Sequence, residues 1–248
     1  MKCLILAAGY ATRLYPLTEN FPKALLPVAG KTILDWLVDD LSRSGETDEY
    51  IVVSNHRYVR HFTKWAENKR LPITVLDDGT SDNASRLGAV RDILFALEQR
   101  KIDEDLLVLA GDNVLDFSLS RLISYAREKK TSCVMRYEEP ELTKLRKGAV
   151  AVLGEDDRVL QITEKSPDPA SRWYCPPFYY FTAEDLRLVS GGIESGCGTD
   201  SPGSCLAWLC GHTVIHAMEM PGRRYDIGDL ESYENVKSLY CGITDPAL

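Results

Sequence analysis

Arg13 and Lys23 follow a run of small residues, Ala7-Ala8-Gly9, near the start of the chain. Small side chains let backbone N–H groups approach phosphate oxygens without obstruction. The guanidinium of Arg13 is a planar fork of donors suited to phosphate geometry. Lys23 follows Pro22, which fixes the local backbone, and stands where polar sequence gives way to the apolar stretch ALLPVAG. Together these residues suit a polyphosphate. Read one at a time they say less: a short glycine turn is common, and a lone lysine is usually a solvated surface charge. Neither the G-x-G-x-x-G dinucleotide fingerprint nor the G-x-x-x-x-G-K-[ST] phosphate loop is present.

Among the chain's carboxylates, two stand in short glycine-bearing segments, Gly111-Asp112-Asn113 and Tyr225-Asp226-Ile227-Gly228. Read alone, each aspartate is equally an N-cap or a turn former. Glu164-Lys165 offers another cation, or a plain exposed pair at a strand end. The four histidines (56, 61, 212 and 216) fall outside these segments, and no His, Ser or Cys triad suggests itself. Seven cysteines include no C-x-x-C pair, and Cys205, Cys210 and His212 match no usual zinc spacing, so free thiols are expected.

Strands are expected at Lys2–Ala8, Glu49–Ser54, Ile73–Asp77 and Asp105–Ala110, alternating with helices at Thr32–Ser44, Tyr58–Lys69, Leu87–Gln99 and Leu119–Lys129. The first helix gathers Leu34, Leu37, Val38 and Leu41 on one face, and Gly45 closes it. Such alternation implies right-handed crossovers and a mostly parallel sheet. Later strands are expected at Cys133–Tyr137, Ala149–Leu153, Val159–Glu164, Pro176–Phe181 and Val214–Met220, the second and third forming a hairpin across GEDD. Helices are expected at Ala183–Val189, Ser204–Leu209 and Leu230–Leu239, with Gly191–Gly203 as a mobile loop. The fold class is thus α/β: one domain over residues 1–248, a doubly wound, mixed and mostly parallel sheet flanked by helices. In such a sheet ligands bind beyond the C-terminal strand ends, where Gly9 and Asp112 both lie.

The net charge of −8 argues against a broad nucleic-acid footprint, although a few local cations can still hold a small anion. The apolar run after Lys2 is short for a secretory signal, and no stretch approaches the ~18 apolar residues of a membrane span. A cytosolic protein without membrane or nucleic-acid partners is expected.

The ordered series L-A-A-G-x-x-T-R-L-x-P-L-T and P-K-A-L-L-P-V, within residues 4–28, resembles the N-terminal signature of sugar-1-phosphate nucleotidylyltransferases. These include the thymidylyl-, uridylyl-, cytidylyl- and guanylyltransferases that make nucleotide sugars. The resemblance implies a Rossmann-like nucleotidyltransferase fold and transfer of a nucleotidyl group from an NTP to a sugar 1-phosphate, giving NDP-sugar and pyrophosphate. It further implies that Leu6, Ala7, Ala8, Gly9 and Thr12 bind the nucleotide, and that Arg13 and Lys23 neutralise its phosphates. Asp112 and Asp226 become the Mg²⁺ ligands. Lys165 contacts the sugar phosphate, with Ser166 where the family's E-K-P has proline. Asn83 and Gly88 stand where the family has a glycine loop facing base and sugar. Glu164 and Asp200 are the remaining substrate candidates.

Two other readings stay open at this level: a cytidylyltransferase acting on phosphocholine or an inositol phosphate, and a catalytically silent nucleotide-sugar sensor. An oxidoreductase is disfavoured by the missing glycine fingerprint. No hexapeptide repeat follows the D-I-G segment, so neither a C-terminal β-helix nor a fused acyltransferase activity is expected, and homo-oligomers of other kinds stay open.

Overall fold

Parallel strands can be joined only by long crossovers, and the first third of the chain supplies them as helices. In the computed structural model, which describes residues 1–245, Lys2–Leu6 pairs in parallel with Glu49–Ser54, and that strand with Ile73–Asp77. Helix Ile33–Ser44 connects the first two and Val59–Glu67 the second two. Ile33–Ser44 starts in a capping box: the Thr32 hydroxyl accepts from Asp35 N at 3.0 Å, and the Asp35 carboxylate accepts from Thr32 N at 3.0 Å. Such a cap is worth about 1 kcal/mol. Leu34, Leu37, Val38 and Leu41 are buried as the periodicity predicts, and Gly45 ends the helix at φ 69°.

The described residues gather into two compact units. One comprises Met1–Arg86, Ala110–Arg121 and the segment from Pro221; the other comprises Leu87–Leu109 and Leu122–Met220. The first unit contains the parallel strands and a small antiparallel ribbon, Asn113–Leu115 with Arg224–Asp226. Beneath that ribbon Leu14, Val28, Ile33, Val114, Ile227 and Tyr233 form a buried cluster. The backbone after strand Leu106–Ala110 passes close to the end of the first strand: Gly111 N donates to the Leu6 carbonyl at 3.0 Å, and a Cβ at Gly111 would stand 3.3 Å from that oxygen.

The second unit is largely antiparallel. Ser132–Glu138 pairs antiparallel with Phe178–Phe181 and Trp173–Cys175, and parallel with Ile215–Glu219. Phe178–Phe181 also pairs antiparallel with Leu106–Ala110. The expected hairpin is formed by Ala149–Leu153 and Val159–Glu164, with Asp156 and Asp157 at positive φ in its turn. The expected α/β class therefore holds, with a mixed sheet and flanking helices.

Some boundaries differ. The helix expected over Ala183–Val189 is two, Ala183–Leu186 and Val189–Glu194. The second runs into Gly191–Gly203, and helix Pro202–Leu209 starts at its far end, so only residues 195–201 of the expected loop lack helix. Gly192 is there for packing, because a Cβ would lie 3.0 Å from the Trp208 ring. Pro202 occupies the first helical turn, where its missing N–H has no partner to lose. Among the described residues no helix is long and apolar enough to cross a membrane.

Candidate active site

The first strand ends at Leu6, and residues 7–11 form an irregular turn before the short 3-10 helix Thr12–Leu14. The turn is tied down by its neighbours: Ala7 N donates to Val53 O at 2.9 Å, and Asn55 Nδ2 donates to Ala8 O at 2.8 Å. Ala11 adopts φ 47° and accepts at its carbonyl from Thr18 Oγ1 at 2.8 Å. Gly9 is exposed, is not at positive φ, and has nothing within 4 Å of where a Cβ would stand. The fold does not require glycine there, so the open space is available to a ligand.

Pro22 caps a second 3-10 turn, Lys23–Leu25, whose Ala24 and Leu25 are buried. This anchoring directs Lys23 inward, with its side chain only 15% exposed. Its ammonium donates to Asp112 Oδ2 at 2.6 Å and to the Ile227 carbonyl at 2.8 Å. The other Asp112 oxygen accepts from Asn113 Nδ2 at 2.6 Å. Asp226 lies across the ribbon, paired in register with Asn113, and its Oδ1 is 3.3 Å from Arg224 Nη1. Arg13 completes the group: its Nη2 is 4.0 Å and Asp226 Oδ2 3.6 Å from the point where a Cβ of Gly228 would stand. Two carboxylates, two lysine or arginine cations from the signature and one more arginine thus share one corner of the first unit.

Their electrostatics differ. Burial alone would raise the Asp112 pKa, but the Lys23 ammonium, helped by Arg224 and a backbone hydrogen bond, outweighs it and the carboxyl is held below the usual carboxylate range. For Asp226, burial and then the charge of Asp112 outweigh the attraction of Arg224, Lys23 and Arg13, so its pKa is raised. Asp226 is half-exposed, and water tempers that rise. The donor set suits a hard divalent cation: two carboxylates, with no third His, Cys, Asp or Glu among the described residues grouped to make a closed cage. Phosphate oxygens and water would complete such a coordination shell.

The second unit holds the other candidates. Lys165 sits at φ 51° after its strand, its N–H donating to the Gly148 carbonyl at 2.9 Å. Its ammonium is 3.3 Å from Asp200 Oδ2, and both side chains are about half-exposed. Glu164 is pushed up by burial, against the pull of Lys165 and a hydrogen bond with Ser201. Two glycines let these segments meet. A Cβ at Gly203 would stand 2.0 Å from Glu164 Oε2; one at Gly88, which has φ +91°, would stand 2.5 Å from the Thr199 carbonyl. Gly88 is thereby brought to the Thr199–Ser201 segment, as are Glu164 and Lys165. Asn83 lies in the first unit on an exposed loop, its carbonyl accepting from Arg86 Nη1 at 3.0 Å. The sequence reading missed Arg224, although its place two residues before Asp226 puts both on one face of a strand.

Residues 2–241 match the family described as nucleotidyl transferase. The chain is 29% identical over 232 residues to UTP–glucose-1-phosphate uridylyltransferase AglF of Haloferax volcanii, covering 92% of this chain and 91% of that protein. It is 26% identical to the bifunctional protein GlmU of Methanococcus maripaludis, again over 92% of this chain, but spans about half (51%) of GlmU. In three dimensions it resembles a UDP-glucose pyrophosphorylase solved with UDP-glucose, with a TM-score of 0.81, 21% identity, and 96% and 97% of the two chains covered. At that identity the likeness concerns the fold.

Proposed function

The chain belongs to the nucleotidyl transferase family, and from that premise we propose that the protein transfers a nucleotidyl group from an NTP to a sugar 1-phosphate, releasing pyrophosphate. The observation that carries this reading is the charged corner of the first unit, where Lys23 grips Asp112 at 2.6 Å beside Asp226, Arg13 and the open turn at Gly9. The similarity to a uridylyltransferase of glucose 1-phosphate supports the substrate class.

A sugar phosphate is already an anion at neutral pH, so its oxygen attacks the α-phosphorus without a general base. The obstacle is repulsion between anions, and catalysis consists of positioning and charge neutralisation. Arg13 and Lys23 stabilise the departing pyrophosphate. The turn at residues 6–9, with Thr12, receives the nucleotide, and Asn83 and Gly88 are assigned to base and sugar. In the second unit Lys165 is assigned to the incoming phosphate, with Glu164 and Asp200 on the substrate. Asp112 and Asp226 would hold Mg²⁺, which when bound supplies charge neutralisation at the phosphates. We read the protein as cytosolic.

The test is pyrophosphate release with each of four NTPs crossed against sugar 1-phosphates, phosphocholine and inositol phosphate. Release with UTP or dTTP and a hexose 1-phosphate is expected. Release only with CTP and an alcohol phosphate would overturn the sugar assignment, and release with no pair would overturn catalysis altogether.

A further inference from the structure

Arg224 touches one carboxylate of the pair, Asp226, and the residue that holds the other, Asn113. Its Nη1 donates to Asn113 Oδ1 at 2.6 Å and ion-pairs with Asp226 Oδ1 at 3.3 Å. Asn113 is fully buried, and its Nδ2 donates to Asp112 Oδ1 at 2.6 Å. The amide has only one workable orientation, because a guanidinium can only donate and a carboxylate can only accept. Arg224 therefore fixes which way Asn113 faces, and Asn113 fixes one oxygen of Asp112. Lys23 holds the other oxygen.

The strand geometry explains how one side chain reaches so far. Arg224 and Asp226 are two residues apart, hence on one face of their strand, while Asn113 sits opposite Asp226 on the paired strand. The Arg224 side chain is only 12% exposed, so its conformation is set by these partners and not by solvent. None of the signature segments includes this arginine.

We propose that Arg224 is a positioning residue that orients the Asp112 and Asp226 carboxylates for a divalent cation, directly at Asp226 and through Asn113 at Asp112. The inference rests on the assignment of those aspartates as metal ligands made above. Groups that orient metal ligands in this way typically contribute 10–100-fold in metal affinity or activity. A competing role has the opposite sign. Were Arg224 only a counter-charge, removing it would strengthen cation binding, since one positive charge would leave the neighbourhood of two carboxylates.

The experiment titrates Mn²⁺ alone into the full-length protein and counts free Mn²⁺ by EPR, with near-UV circular dichroism to check folding. Arg224→Met is expected to weaken Mn²⁺ binding by about 10–100-fold. Asn113→Ala, which changes no charge and breaks only the route to Asp112, is expected to weaken it less, and the double variant no further than Arg224→Met, because Asn113 acts in series with Arg224. Should Arg224→Met fail to fold, Arg224→Lys keeps the charge without the planar fork, and a lesser weakening is expected. In turnover assays the half-saturating Mg²⁺ should rise in Arg224→Met more than kcat at saturating Mg²⁺ falls. Unchanged or tighter Mn²⁺ binding in Arg224→Met, or wild-type binding in Arg224→Lys, overturns the proposal. A wild type that binds Mn²⁺ yet releases no pyrophosphate with any substrate pair overturns the functional reading and leaves this inference to the Mn²⁺ data.

Discussion

Two Lys–Asp pairs invite comparison. Lys23 and Asp112 meet at 2.6 Å with the lysine 15% exposed, and each has further partners within the first unit. Lys165 and Asp200 meet at 3.3 Å in the second unit with both side chains about half in water. The first pair is held by anchored 3-10 and ribbon segments; the second hangs from a strand end and a loop. The contrast matches the chemistry proposed for each. Reacting phosphates are the same for every substrate and reward a fixed array, whereas an incoming substrate must displace or share a counter-ion, which a loose, screened pair permits.

The largest effect that tests this contrast is expected for Lys23→Ala. Loss of a preorganised cation should lower kcat/KM by about 10²–10³, measured as pyrophosphate release at saturating Mg²⁺. Near-wild-type turnover would break the comparison at its stronger end. Lys165→Ala should cost about 10–100-fold, the worth of one charge-assisted hydrogen bond, and should appear in KM for the phosphorylated substrate. Its melting temperature should stay close to wild type, because exposed ion pairs contribute only about 0–1 kcal/mol. A large fall in Tm would mean that the second pair is structural after all.

Glycines sharpen the same distinction. Gly88→Ala must strain a residue at φ +91° and push a Cβ against the Thr199 carbonyl, so a loss of about 1–3 kcal/mol is expected, seen as a Tm lower by roughly 3–10 °C. Gly9→Ala meets no atom and should leave Tm within about 1 °C while impairing nucleotide binding. Equal Tm losses in the two would refute the reading of Gly9 as a ligand-facing position.

The smallest effect concerns pH. Burial raises the folded-state pKa of Glu164 above its unfolded value. Between those two values the folded protein binds more protons than the unfolded chain, so stability falls as pH rises through that window. Glu164→Gln should flatten that slope in Tm measured from about pH 4 upward, the ordinary glutamate range. A slope that is unaltered in the variant would show that other groups set it.

Much of the fold was legible because its signals are local. Strands Glu49–Ser54, Ile73–Asp77, Ala149–Leu153 and Val159–Glu164 and helix Leu230–Leu239 have the expected bounds, each carrying its own run of β-branched or periodic apolar residues. Asn113–Leu115, Trp173–Cys175 and Arg224–Asp226 were not legible. Three residues cannot display a period, and such strands exist only because a partner strand accepts their hydrogen bonds. Gly191 and Gly192 misled for a related reason: glycine signals flexibility locally, but here the Trp208 ring lies against the helix that contains them.

By itself the sequence determined the inventory: a small-residue turn with Arg13, a proline-anchored Lys23, two aspartates far apart in the chain, and a Glu–Lys pair. Types and short spacings were compatible with a phosphate-handling chemistry, and the resemblance of residues 4–28 to a family signature selected it. Only the tertiary structure decided which charge neutralises which. Lys23 reaches Asp112 across 89 residues and the Ile227 carbonyl across 204, and Arg224 reaches Asn113 across 111. No local pattern encodes those partnerships, because they arise where the ribbon packs over a core assembled from segments at both ends of the chain.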